Sequence, residues 1–152
     1  MKRVVIYLLL LSAVALMPMR GTDVGQLHPV ELVHLYMEED VVAIATDTGA
    51  VGRGRTVEEA VANLNATTAG IVFLDTAQYL LLSESAKLLY PAMANYLKPK
   101  VRVCTVENGI DLHEAASYLD IHKPSVRLKD MNDAEQLENL TIEGGQIIIK
   151  DF

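Results

Sequence analysis

The sequence predicts a mixed α/β (α+β) fold: a single domain over residues 21–152 with a mixed sheet and about three to four helices packed on it. Residues 1–20 are read as a preceding signal peptide or membrane anchor. Three observations carry this reading. Short apolar runs alternate with capped helical repeats. Some runs are joined by tight turns and others through helices, so both antiparallel and parallel pairing are required. A chain of 152 residues that is 51% hydrophobic can bury a core unaided, and its single cysteine excludes any intrachain disulfide framework.

The N-terminal segment differs from the rest. Lys2 and Arg3 precede an uncharged, leucine-rich run from Val4 to Met17, which Pro18 ends. As a helix that run spans about 21 Å, whereas a relaxed bilayer span takes about 20 residues. A positive start before a short apolar run matches a secretory signal. Ala13 and Ala15 offer a cleavage site; without cleavage, residues 4–17 would hold the chain in the membrane. The expected location is therefore secreted, or anchored to the extracytoplasmic face of the cytoplasmic membrane. The alternative is a buried core helix. Setting aside Lys2, Arg3 and Arg20 leaves 10 basic against 20 acidic residues, so the folded part carries about −10 rather than −7. Such a surface argues against nucleic acid as a partner, which calls for a basic face to replace counterions.

Along the chain, residues 21–29 read as polar and extended. Val30–Met37 and Val41–Thr46 form a hairpin around Glu38, Glu39 and Asp40. The glycines of Asp47–Arg55 predict a loop. Thr56 and Glu59 form a capping box, and Val57, Ala60, Val61 and Leu64 follow at helical spacing to about Ala66. A strand is expected over Ile71–Asp75 and another over Tyr79–Leu82. Ser83 or Ser85 caps a second helix with the stripe Leu89, Ala92, Met93, Tyr96 and Leu97, kinked near Pro91 and ended by Lys98-Pro99. Val101–Val106 is a buried strand, paired in parallel with Tyr79–Leu82. Asn108-Gly109 turns the chain, and Asp111 caps a third helix facing the core through Leu112, Ala115, Ala116 and Leu119. A short strand over Val126–Leu128 and a short helix over Asn132–Asn139, with Asn132 and Glu135 as a box-like pair, complete the unit. Gly144-Gly145 turns a terminal hairpin between Leu140–Glu143 and Gln146–Lys150.

Chemistry-bearing motifs are sparse. Asp47-Thr48-Gly49-Ala50 follows an apolar strand, as in single-domain dimeric aspartic proteases, where two aspartates share a proton. The capped helix so soon afterwards does not suit that nearly all-β architecture, and turn chemistry alone favours these residue types. Gly52-Arg53-Gly54-Arg55-Thr56 precedes a helix start that could attract an anion, but Glu58 and Glu59 already occupy the first turn. His28, His34, His113 and His122 lack metal-ligand spacing, so no metal site and no cofactor is expected. Tyr79, Tyr90, Tyr96 and Tyr118 read as core or rim packing. Cys104 reads as a small buried hydrophobe. Arg102, which could activate it, is assigned to the opposite face of its strand.

The stretch Gly54-Arg55-Thr56-Val57-Glu58-Glu59-Ala60, then Gly70-Ile71-Val72-Phe73, then Tyr79-Leu80-Leu81-Leu82-Ser83-Glu84, continues with Val101-Arg102-Val103-Cys104, Gly109 and Asp111–Leu119. This order resembles the first domain of the Ger(x)C spore germination lipoproteins, the C subunits of germinant receptors. The resemblance runs from Asp23 to Leu119. The family's lipid-bearing cysteine has no counterpart between Leu16 and Leu35, and its chains are more than twice as long, so a free-standing single-domain relative is expected rather than a full subunit. The resemblance implies no enzymatic activity. It implies an extracytoplasmic part of a membrane assembly, with membrane or extracytoplasmic proteins, germinant-receptor components among them, as partners. The leading expectation is thus an exported, non-catalytic interaction module. The alternatives are a small aspartyl-protease-like enzyme using Asp47-Thr48-Gly49 and an exported small-ligand-binding domain.

Overall fold

The structure, a computed structural model, describes residues 27–107, 109–131 and 137–150. The predicted leader, the turn residue Asn108 and the Asn132–Glu135 pair lie outside the described residues. The strands are β1 (Leu27–Pro29), β2 (Leu32–Glu38), β3 (Val41–Thr46), β4 (Val51–Gly54), β5 (Ile71–Phe73), β6 (Tyr79–Ser83), β7 (Arg102–Val106), β8 (Asn139–Glu143) and β9 (Gln146–Lys150). The helices are α1 (Val57–Thr67), the single turn α2 (Tyr90–Met93) and α3 (Leu112–Ile121).

Seven strands form one mixed sheet in the order β4-β3-β2-β6-β7-β8-β9. The β4-β3-β2 meander is antiparallel; β2, β6, β7 and the start of β8 run parallel; β9 folds back on β8. β1 and β5 pair in parallel as a separate two-stranded ribbon. The expected parallel partnership of β6 with β7 is present, with Leu81 opposite Cys104. All five residues of β6 are buried, which explains why its sequence is a continuous apolar run: a central parallel strand is covered on both faces.

Each face has its own core. Val33, Leu35, Ile44, Leu80, Leu82 and Val103 pack beneath α1, Met93 and Leu97 on one side. Leu32, Tyr79, Leu81, Cys104 and Leu140 pack against Ala115, Ala116 and Leu119 of α3 on the other. α1 buries Val57, Ala60, Val61 and Leu64 as its spacing predicts, and α3 buries Ala115, Ala116 and Leu119 but leaves Leu112 only half-buried. Thr56 caps α1 by accepting the Glu59 N–H at 3.2 Å, and Asp111 caps α3 by accepting from His113 and Glu114 at 2.9 Å. Among the described residues, no helix is long and apolar enough to cross a membrane.

Several expectations are corrected. The loop predicted over Asp47–Arg55 is a turn followed by β4. Gly52 and Gly54 serve close approach rather than turning: a Cβ on Gly52 would lie 2.2 Å from the carbonyl oxygen of Ala60 in α1. The second helix is instead a 3₁₀ segment, Glu84–Leu89, followed by the one turn α2. Pro91 has no N–H to offer the Lys87 carbonyl, so an α-helix cannot run through it unbroken. Ser83 takes the N-cap position of this segment, but its side chain makes no cap hydrogen bond; its hydroxyl and that of Ser85 lie 3.1 Å apart and bond each other. The strand expected over Ile71–Asp75 stops at Phe73, where Leu74–Thr76 make a 3₁₀ turn. Val126–Leu128 contributes a single antiparallel bridge, Arg102 opposite Arg127, not a strand. Arg102 also lies on the same face of β7 as Cys104, because residues two apart on a strand point the same way.

Candidate functional site

The β6 and β7 strands begin side by side, with Tyr79 opposite Arg102. Three turns meet at this edge. One is the 3₁₀ turn ahead of β6, and another is Lys98-Pro99-Lys100 ahead of β7. The third is the segment after α3, which returns along β7 through Val103 N–H to Val126 O at 3.0 Å and Leu128 N–H to Val101 O at 2.7 Å. Together they wall a cleft of about 650 Å³. Five of its ten lining residues are cationic: Lys98, Lys100, Arg102, Lys123 and Arg127. Asp75 is the single acidic one.

The electrostatics are unusual for a chain of net charge −7. The ion pairs among the described residues are Arg53–Glu38, Lys87–Glu84 and Lys150–Glu143, and none uses a cleft cation. Arg102 donates to the carbonyl of Pro124, which ties its guanidinium to the third wall. Arg102 and Arg127 face each other across one bridge, an arrangement that costs stability when two like charges are left alone. Below them Tyr79 is buried, and its hydroxyl donates to Asp120 at 3.1 Å. Burial first, then that hydrogen bond, pushes its pKa up to about 12, so the phenol stays protonated. Tyr79→Phe should cost about 1 kcal/mol in urea unfolding while leaving the cleft cations in place.

Of the residues singled out from sequence, Tyr79 and Arg102 line this cleft, while the motif residues lie elsewhere. Asp47 Oδ1 accepts the backbone N–H groups of Glu31 and Leu32, each at 3.2 Å, and so clamps the start of β2 to the end of β3. The Thr46 and Thr48 hydroxyls bond each other beside it at 2.8 Å. Asp47→Ala should therefore cost about 2 kcal/mol, and Asp47→Asn, which keeps an acceptor oxygen, much less. Arg53 is held by Glu38 at 3.0 Å, and the Arg55 N–H bonds Glu59 at 2.8 Å, so the Gly-Arg-Gly-Arg segment stabilises β4 and the start of α1. His113 and His122 are exposed, with His122 stacked on Tyr118 at 4.5 Å. Among the described residues no group of three His, Cys, Asp or Glu side chains could hold a metal ion. Cys104 is fully buried, and burial pushes its thiol pKa up, away from the thiolate.

His34 lines a shallower cavity of about 410 Å³ with Tyr36, Glu38, Ala45 and the Gly109–Leu112 segment. Its ring stacks on Tyr36 at 4.8 Å, and its buried Nε2 has no hydrogen-bond partner among the described residues. Burial lowers its pKa to about 4.

The basic cleft was missed in the sequence because Lys98-Pro99 reads as a helix stop. The signal present was charge: Lys98, Lys100 and Arg102 at alternate positions, then Lys123 and Arg127, in a chain otherwise dominated by acids. No family model matches the chain, and no curated protein or solved structure matches it.

Proposed function

We propose that this chain is an exported, non-catalytic interaction module working at the extracytoplasmic face of the cytoplasmic membrane. Its role would be similar to that of the first domain of spore germination receptor C subunits, with membrane or extracytoplasmic proteins as partners. The observation that supports the reading is the cleft: five cations, outside the ion pairs of the described residues, line one concavity of an acidic protein. Such a surface draws an anionic group by Coulomb attraction. Asp47, the side chain that a sequence motif nominates for chemistry, is engaged in local hydrogen bonds.

Two measurements test the reading. A reporter enzyme that folds only after export, fused after Phe152, should be active, and replacing Leu9 and Leu10 by Arg should silence it. An inactive wild-type fusion would remove export. A photo-crosslinking residue at Lys123 should give discrete adducts in cells, whereas one at the exposed Leu88, away from the cleft, should not. Equal labelling from both positions counts against the cleft as the contact surface.

A further inference from the structure

We propose that the basic cleft is a binding site for a compact phosphate-bearing anion, a phospholipid headgroup or a soluble phosphate compound. This rests on reading the cleft as the module's contact surface and names the chemistry it takes.

Charge sets the first constraint. Five cations against the one acid of the lining leave an excess that a single carboxylate would not match, so the fitting ligand is multivalent. Donor geometry sets the second. Arg102 and Arg127 stand directly opposite each other, and guanidinium forks match phosphate oxygens in a bidentate way. An anion between them turns a repulsion into two charge-assisted contacts. The lysines add point charges, and Gln78 adds a neutral polar group at the same rim. Size sets the third. A cleft of about 650 Å³ takes a small molecule or a single headgroup.

The chain path favours a membrane source. Val30 donates its N–H to the Thr76 hydroxyl at 2.9 Å, so the chain just after β1 is tied to the cleft wall. From Met17 to Leu27 a fully extended chain reaches at most about 35 Å. If Val4–Met17 stays in the bilayer, the cleft is held within reach of the headgroups, where an anionic surface attracts each Lys or Arg near it.

The test uses the full chain in non-ionic detergent, titrated calorimetrically with inorganic pyrophosphate. A second arm measures retention of the full chain on phosphatidylcholine vesicles with and without phosphatidylglycerol. Saturable binding is expected, weakened about tenfold or more in Lys123→Gln/Arg127→Gln, since charge-assisted contacts are lost. The matched pair Arg55→Gln/Lys150→Gln, away from the cleft, should bind as the wild type does. Lys123 and Arg127 are exposed, so their replacement should leave the urea midpoint unchanged; if it does not, Lys98→Gln/Lys100→Gln serves instead. Binding in the vesicle arm alone supports the site with lipid as source, and binding in the pyrophosphate arm alone supports a soluble source. No binding in either arm, or equal binding by wild type and cleft variants, overturns the proposal. Binding of poly-glutamate with neither phosphate arm positive also overturns it, yet leaves the interaction module standing. An unexported reporter fusion sinks the module reading whatever the calorimetry shows.

Discussion

Gly52→Ala should destabilise the domain by about 3 kcal/mol or more. A Cβ there would sit 2.2 Å from the Ala60 carbonyl oxygen and 2.6 Å from both the backbone nitrogen and the Cβ of Leu64. These atoms belong to the body of α1, so no side-chain rotation relieves the clash; the helix must lift off β4. At a urea slope of about 2 kcal/mol per M, the midpoint should fall by about 1.5 M. Gly145→Ala is the useful contrast. Gly145 has φ 82°, and a Cβ there would meet nothing within 4 Å, so only backbone strain of about 1–2 kcal/mol opposes the change. Equal losses for the two variants would contradict the packing of α1 on β4.

The second large effect is a pH dependence centred on His34. Its pKa is about 4 in the folded protein against an ordinary value of 6.5, because burial disfavours the imidazolium. Between those values the unfolded chain holds a proton that the folded chain refuses. The contribution to stability is therefore complete above about pH 6.5 and is lost as pH falls toward 4. It amounts to on the order of 3 kcal/mol across that window. Glu38, on the same cavity, has its pKa lowered chiefly by the hydrogen bond from Arg53 and loses stabilising interactions in the same direction at acid pH. The His34 share is thus the difference between the wild-type profile and that of His34→Leu, which should be flatter over this range. Parallel profiles, or an imidazole that titrates near 6.5 by NMR, would show that His34 is not buried as described.

Much of the fold was legible because local rules and tertiary packing agree. The caps Thr56 and Asp111, the Gly144-Gly145 turn and the helical stripes act through neighbours a few residues away. The apolar run Val101–Val106 reads as a buried strand, as β7 is, and its parallel pairing with β6 followed from the intervening helical stripe. The failures lie where one residue type answers to two causes. Glycine marks a turn at Gly144, but at Gly52 and Gly54 it admits a helix against a strand, and only the tertiary contact separates the cases. The stripe Leu89, Ala92, Met93, Tyr96 and Leu97 does face the core, yet Pro91 prevents the continuous helix that the stripe suggests. The cleft was hidden for a similar reason. Its cations come from two segments more than twenty residues apart, joined only because the chain after α3 returns to bridge Arg102 through Arg127. Asp47, the most conspicuous motif residue, is instead explained by two backbone N–H groups donated from β2 and the residue before it.

The central claim is that the cleft at the start of β6 and β7 is the protein's binding surface. Its most direct test is amide chemical-shift mapping of the isotopically labelled full chain during a pyrophosphate titration. Saturable shifts should concentrate at Asp75–Tyr79, Lys98–Arg102 and Lys123–Arg127. Shifts scattered over the surface, or centred on the His34 cavity or Asp47 with the cleft unmoved, would contradict the account.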